Sequence, residues 1–94
     1  MLVTTLGHGQ RVLARIFAHP WVALDTETEP RPPYQGRDDA LIWGRAQIRI
    51  FAICHRGEAY SFPTNAVDVK YPTTSQWNDL LRPYFESRRT IKVF

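Results

Sequence analysis

The hydrophobic and polar positions of the first thirty residues predict a helix followed by a buried strand. Apolar side chains recur at helical spacing between residues 10 and 18, and Pro20 ends the pattern, so a short amphipathic helix is expected there. Residues 21–24 form a continuous apolar run, which is typical of a strand covered on both faces. The acidic segment 25–29 follows at once, so this interior strand is predicted to carry carboxylates at its C-terminal end.

The middle of the chain predicts a loop and then a β-hairpin. Residues 30–39 contain three prolines, one glycine and four charged side chains, which favours an irregular loop over a linker between domains. Arg56-Gly57 is predicted to be the turn between a strand at 46–54 and a strand at 58–62. Strict alternation assigns the residues of the first of these strands to two faces, Ile48, Ile50, Ala52 and Cys54 on one and Gln47, Arg49, Phe51 and Ile53 on the other.

The C-terminal part of the chain predicts a second helix and a fourth strand. Ser75 stands at the expected N-cap of this helix. Its apolar stripe consists of Trp77, Leu80, Leu81, Tyr84 and Phe85. Pro83 lies inside the stripe and costs about 3 kcal/mol in a helix interior, so a kink or an early end is expected there. Residues 90–94 are predicted to form the fourth strand, and the whole chain, 1–94, one α/β domain.

Composition places the chain in the ordinary globular class. Ninety-four residues allow one small domain, and an apolar fraction of 44% with 22% charged residues excludes the disordered class. The net charge is +3, and ten of the twelve basic residues are arginines, which bind phosphate through a bidentate fork. This is compatible with a polyanionic ligand, although the arginines are scattered along the chain, as they are on an ordinary solvated surface.

Cysteine usage and hydropathy indicate a cytoplasmic protein. Cys54 is the single cysteine, which excludes an intramolecular disulfide and a cysteine-based zinc cluster and suits a reducing compartment. No apolar run approaches the roughly eighteen residues of a membrane span, and residues 1–10 lack the features of a signal peptide. We therefore expect a soluble, cytoplasmic protein without a membrane partner.

Asp25 and Glu27 are the strongest candidates for chemistry. On an extended backbone, residues two apart point to the same side at a spacing of about 6.6 Å, so the two carboxylates can share a divalent cation. Chance places Asp-x-Glu in roughly a third of chains of this length, so the tripeptide alone is weak evidence. Its position after a buried strand and before a proline-rich loop favours a site, while ordinary surface carboxylates stay an open alternative.

Other residue types give weaker signals. His8, His19 and His55 are far apart in the sequence and have no partner at metal-ligand spacing, so surface or capping histidines are expected. The segment Gly7-His8-Gly9 is too short for a phosphate-binding loop. No GxSxG nucleophile elbow is present to support serine hydrolase chemistry.

Three stretches of the chain, taken in their order along the sequence, indicate a protein family more specifically than any one of them alone. Residues 21–29, WVALDTETE, are an apolar strand that ends in Asp-x-Glu with threonines between and after the acids. Residues 47–63, QIRIFAICHRGEAYSFP, run through a glycine turn to an aromatic strand ending in Pro. Residues 80–94, LLRPYFESRRTIKVF, are a helix with Leu-Arg-Pro that leads into a strand. In this succession, residues 10–94 resemble the DEDD 3′→5′ exonucleases, in particular the proofreading domain of bacterial and phage family-A DNA polymerases.

The resemblance implies a fold, a reaction and a site. The fold is RNase H-like, of which this chain is the N-terminal portion with a three- to four-stranded mixed sheet and flanking helices. The reaction is removal of nucleotides from a single-stranded DNA 3′ end by two-metal hydrolysis, with Mg²⁺ or Mn²⁺ as the cofactor of the complete domain. Asp25 and Glu27 take the roles of the catalytic, metal-binding carboxylates, and Thr26, Thr28 and Glu29 line the same edge without an assigned chemical role.

The chain also departs from the family pattern. The second motif, with an Asp after an Asn, and the third motif, with a Tyr or His and a last Asp, are absent from these 94 residues, so little or no nuclease activity is expected from them alone. The strand at 90–94 is expected to pair with a second copy or another chain. Two alternatives stay open, a non-catalytic exonuclease-derived module that binds nucleic acid or protein, and one part of a split polymerase.

Overall fold

Two helices and four strands make up the computed structural model, which describes residues 1–30 and 46–94. Their bounds in chain order are α1 (Leu6–Ile16), β1 (Trp21–Pro30), β2 (Ala46–His55), β3 (Glu58–Pro63), α2 (Thr74–Glu86) and β4 (Ile91–Val93). The irregular loop predicted for residues 30–39 lies outside the described residues, apart from Pro30, which is the last residue of β1.

The four strands form one mixed sheet in the order β3-β2-β1-β4. The pairs β1–β2 and β2–β3 are antiparallel, whereas β4 runs parallel to β1, with Trp21 beside Ile91 and Ala23 beside Val93. The α/β class and the three- to four-stranded mixed sheet with flanking helices are therefore confirmed, at four strands. In this sheet β1 lies between β2 and β4, although β4 pairs only with residues 21–23 of β1.

The strand β1 is longer than its apolar run. It continues through the acidic segment to Pro30, because residues 23–30 pair with β2 from Cys54 back to Ala46. The prediction that the carboxylates stand at the C-terminal end of the strand is therefore wrong. They lie within it, since a hydrogen-bonded neighbour stabilises extended backbone whatever the polarity of the side chains.

A β-bulge interrupts the pairing of β1 with β2. Glu27 pairs with Ile50, but Thr28 pairs with Ile48, so Arg49 is an extra residue on β2. The bulge reverses the alternation beyond it: Ile48 packs against the buried core, and Arg49 reaches Glu27 on the opposite face. The predicted faces of Gln47, Ile48 and Arg49 are therefore wrong, because strict alternation assumes a regular ladder, and Gln47 bonds Glu29 on the face away from the core.

The hairpin between β2 and β3 has the predicted turn. His55 pairs with Glu58, which leaves Arg56 and Gly57 as a two-residue connection. Arg56 has a φ of 43°, a left-handed conformation that is uncommon for a residue with a side chain. The Arg56-Gly57 turn and the third strand are confirmed.

The helix α1 begins earlier than its apolar pattern. Thr5 caps it by accepting a hydrogen bond from the backbone nitrogen of His8 at 3.2 Å, and the helix ends at Ile16. The predicted range of 10–18 is thus wrong at both ends, because the cap is polar and the first turn carries two glycines. Gly9 has a packing role, since a Cβ built on it would stand 2.6 Å from the Trp77 ring of α2.

The helix α2 also begins before its predicted cap. Thr73, not Ser75, is the N-cap, and its side chain and that of Gln76 exchange hydrogen bonds with each other's backbone nitrogens at 3.1 and 2.9 Å. The helix runs through Pro83 to Glu86, so the early end expected at the proline is wrong. Pro83 is exposed and lies in the last turn of the helix. The backbone hydrogen bond that a proline cannot donate is therefore lost close to the helix end, where it costs little.

One hydrophobic core lies between the helices and one face of the sheet. Phe62 and Trp77 are fully buried and their rings meet edge to face at 5.2 Å, while the Trp77 indole nitrogen donates to the Pro63 carbonyl at 2.8 Å. The other core residues are Val3, Val12, Leu13, Ile16, Phe17, Val22, Phe51, Ile53, Tyr60 and Leu81. Four residues of the predicted α2 stripe, Trp77, Leu80, Leu81 and Tyr84, are thus packing surface, whereas the fifth, Phe85, is exposed.

The predicted fourth strand is confirmed as β4, over three residues. Thr90, just before it, is buried and its hydroxyl donates to the Phe17 carbonyl at 2.8 Å, which ties the strand to the end of α1. Within residues 1–30 and 46–94, neither helix has the length and apolarity that crossing a membrane requires.

Candidate carboxylate site

Asp25 and Glu27 project from the same face of β1. They pair with Ala52 and Ile50 without an irregularity between them, so the pleat directs both carboxylates to one side at a spacing of about 6.6 Å. Both residues are exposed. Alternation places the Thr26 side chain on the opposite side of β1 from the two acids, although Thr26 is exposed and lines a pocket together with Asp25.

The two carboxylates differ in their contacts. An Asp25 Oδ1 atom accepts a hydrogen bond from the backbone nitrogen of Thr26 at 2.8 Å, which restricts the rotamer of a short side chain. Glu27 Oε1 accepts one from Nη1 of Arg49 at 2.9 Å, a charge-assisted bond that crosses from β1 to β2. The Glu27 side chain is 59% exposed and the Arg49 side chain 33% exposed, so Arg49 is the more constrained member of the pair.

Glu29 is the second anion that holds Arg49. Its Oε2 atom lies 3.1 Å from Nε of Arg49, and its Oε1 atom accepts from Nε2 of Gln47 at 3.0 Å. The Arg49 Nε group is buried and makes no hydrogen bond within the described residues, so its attraction to Glu29 is one of charge and not of alignment. We call the side chains of Asp25, Glu27, Glu29, Arg49 and Gln47 the acidic face.

The acidic face fits a hard divalent cation in ligand type. Mg²⁺ and Mn²⁺ prefer carboxylate oxygens and retain several waters, and Asp25 and Glu27 offer such oxygens in solvent. Residues 1–30 and 46–94 contain no group of three or more His, Cys, Asp or Glu that is arranged to hold a metal ion. Two carboxylates with water ligands fit weak binding, and a cation at Glu27 has to compete with Arg49. Metal binding at Asp25 and Glu27 stays a prediction.

An apolar pocket of about 240 Å³ opens beside Asp25. Its lining residues are Leu24, Asp25, Thr26, Phe51, Ala52, Ile53, Leu81, Phe85 and Phe94. The exposed Phe94, at 93%, and the half-exposed Phe85, at 40%, supply aromatic surface next to a carboxylate. Sequence reasoning missed this pocket, because its lining comes from β1, β2, α2 and the residue after β4.

The histidines are arranged differently from the prediction. His55 is buried, and its ring stacks on that of His19 with centroids 3.9 Å apart, so the expectation of surface or capping residues is wrong for His55. The Nδ1 atom of His55 lies 2.7 Å from the Trp21 carbonyl, and His19 Nε2 lies 3.8 Å from Glu58. Parallel stacked rings do not direct their nitrogens at one point, so this cluster is a packing contact between the α1–β1 connection and the hairpin.

Comparison of the chain with protein-family models, curated proteins and solved structures gives no match. The resemblance to the DEDD exonucleases therefore rests on the three sequence stretches alone.

Proposed function

We propose that residues 1–94 contain the first motif of a metal-dependent 3′→5′ exonuclease domain of the kind found in family-A DNA polymerases, with Asp25 and Glu27 as its carboxylates. The observation that carries the proposal is the placement of Asp25 and Glu27 side by side, exposed to solvent, on the part of β1 that continues past its pairing with β4. A mixed sheet in which β1 lies between an antiparallel hairpin and a parallel β4 is compatible with an RNase H-like fold, and we propose that fold here.

The chemistry divides between the ion and the chain. A bound Mg²⁺ or Mn²⁺ supplies activation of water and stabilisation of the leaving oxygen in phosphodiester hydrolysis. Asp25 and Glu27 hold the ion. The pocket beside Asp25 presents Phe85 as apolar surface on which a base of a single strand can stack, as bases do on aromatic side chains elsewhere. Residues 1–94 alone are expected to bind and not to cleave, because four convergent carboxylates are needed for the full reaction.

The test of this proposal is binding of a 3′-labelled single-stranded DNA to residues 1–94 with and without Mn²⁺. We expect Mn²⁺ to raise the affinity, and Asp25→Ala and Glu27→Ala each to remove the increase while Arg56→Gln, on the far hairpin turn, leaves it. An equal affinity with and without Mn²⁺ contradicts the proposal. Metal-dependent degradation of the DNA, abolished by Asp25→Ala, contradicts only the expectation that this stretch is inactive alone.

A second candidate is a non-catalytic module derived from an exonuclease. The observation that favours it is the contact of Arg49 with Glu27, which neutralises a carboxylate that a catalytic ion requires. Binding to single strands that is weakened by salt and indifferent to Mn²⁺ is the result expected of such a module. For one part of a split polymerase, we expect co-purification with a polypeptide that carries the missing Asn and Asp motifs.

We also propose that a second copy of this chain, or another chain, covers the β4 edge. Ile91 and Val93 of the edge strand β4 are 67 and 50% exposed, and Phe94 just after it is 93% exposed, which is a large apolar exposure at the edge of a sheet. Sedimentation at tens of micromolar measures the association. A monomer whose β4 amides are protected in hydrogen exchange contradicts the proposal.

A further inference from the structure

The bulge in β2 determines which side chain faces Glu27. In a regular ladder Arg49 points to the same face as Phe51 and into the core, but the bulge places both Arg49 and Ile50 opposite Glu27. Arg49 contacts Glu27 for this reason. Bulges at functional sites commonly redirect one side chain, and here the redirected group is a cation beside the predicted metal ligands.

The acidic face needs a positive charge. Asp25, Glu27 and Glu29 alternate along one strand and project from one side about 6.6 Å apart, so their carboxylates repel one another in the absence of a cation. Arg49 provides that charge between Glu27 and Glu29 at 2.9 and 3.1 Å. A divalent ion held by Asp25 and Glu27 would supply the same charge compensation.

The two carboxylates that contact Arg49 differ in how firmly other contacts hold them in place. Glu29 is also bound by Gln47 and its side chain is only 27% exposed, whereas the Glu27 side chain is 59% exposed. When Glu27 turns toward another cation, Glu29 therefore stays in place and keeps the guanidinium beside the site. The contact between Arg49 and Glu27 is the one that can exchange.

We propose that Arg49 is a resident counter-cation of this site, which competes with the divalent ion for Glu27 and is retained by Glu29 when the ion binds. The inference rests on the proposed function, since it requires Asp25 and Glu27 to take a metal. It assigns to Arg49 a positioning role: the side chain orients Glu27 in the metal-free protein and sets the ion concentration at which the site fills.

Mn²⁺ binding to residues 1–94, measured from the signal of free Mn²⁺ in electron paramagnetic resonance, tests the competition. We expect Arg49→Gln to tighten Mn²⁺ binding by about threefold to fivefold, the range that a partly exposed ion pair supports. Arg56→Gln is the matched control, because it removes the same charge from the same strand pair at the hairpin turn and should change the affinity by less than about twofold. In the Glu27→Gln background, Arg49→Gln should have no such effect.

The outcomes separate the inference from the function beneath it. Tighter binding by Arg49→Gln, dependent on Glu27, supports both. Equal or weaker binding by Arg49→Gln, with binding still lost in Asp25→Asn, overturns the competition and leaves the metal site intact. Absence of Mn²⁺ binding in both the wild type and Arg49→Gln overturns both.

A measurement on the unaltered protein keeps the inference testable if Arg49→Gln does not fold. The Nη1 resonance of Arg49, which belongs to the nitrogen that contacts Glu27, is followed by NMR during a Mg²⁺ titration. We expect it to shift along the same saturation curve as the amide of Asp25, because the guanidinium loses Glu27 when the ion binds. An Arg49 resonance that stays fixed while the Asp25 amide shifts contradicts the inference.

Discussion

The two faces of the sheet are stabilised by different interactions, apolar packing on one and ion pairs in solvent on the other. The face under the helices is covered by fully buried side chains such as Phe62, Val22 and Trp77. On the acidic face the carboxylates of Asp25 and Glu27 stand in solvent. Burial of apolar area supplies most of the folding free energy of a small domain, while ion pairs in water contribute little.

The difference indicates where the chain can change its chemistry at small cost in stability. The ligand exchange that we propose at Glu27 would disturb a contact that carries little of the folding free energy, so the acidic face could rearrange while the helix layer keeps the strands in register. Substitutions in the two regions should therefore separate stability from binding.

The largest expected effect is that of Trp77→Ala. Removing a fully buried indole leaves a cavity and an unpaired Pro63 carbonyl, which should lower the free energy of unfolding by about 3–5 kcal/mol. Urea unfolding followed by circular dichroism measures it. Phe94→Ala removes an aromatic ring that is 93% exposed and should change the same quantity by less than about 0.5 kcal/mol. A loss below about 1 kcal/mol in Trp77→Ala contradicts the proposed core.

Two glycines of α1 should respond in opposite directions. Gly9→Ala brings a methyl group to 2.6 Å from the Trp77 ring, and the resulting strain outweighs the better helix propensity, with a net loss of about 1–2 kcal/mol. Gly7 has only the end of Arg11 within 4 Å, at 3.9 Å, so Gly7→Ala should raise stability by about 0.5–1 kcal/mol. Thermal unfolding of both variants decides it, and two changes of the same sign contradict the helix contact.

The cap of α2 offers a smaller and equally specific effect. Thr73→Ala removes one half of a capping box and should lower the free energy of unfolding by about 1 kcal/mol. Ser75→Ala, two residues on and inside the helix, should change it by less than about 0.5 kcal/mol. Equal losses from the two substitutions, measured by denaturant unfolding, contradict the assignment of the N-cap.

The smallest expected effect on stability comes from the acidic face. Asp25→Asn keeps the shape of an exposed side chain, so the free energy of unfolding should change by less than about 0.5 kcal/mol. Its Mn²⁺ affinity should fall by at least about tenfold. Substituting a residue that only hydrogen-bonds to a metal ligand already lowers metal affinity by about tenfold or more, and substituting the ligand itself should lower it at least as much. Calorimetric titration and urea unfolding of one preparation measure both. A stability loss of 2 kcal/mol or more, with Mn²⁺ affinity unchanged, assigns Asp25 to the fold and contradicts the site.

Much of the fold followed from local patterns. Apolar runs and turn residues predicted the four strands and the Arg56-Gly57 turn, because alternation and turn chemistry are properties of neighbouring residues. Helix ends were less predictable. Thr5 and Thr73 were missed as caps because a threonine before a helix resembles any loop threonine until the backbone nitrogen it accepts from is in place.

For the candidate site, the sequence by itself determined that Asp25 and Glu27 share one face of a strand, since a pleated backbone repeats every two residues. Only the tertiary structure decided that Arg49 stands opposite Glu27 and that Ile48 packs into the core. The reason is the bulge, a property of the pairing between two strands. Alternation along one strand therefore cannot locate it.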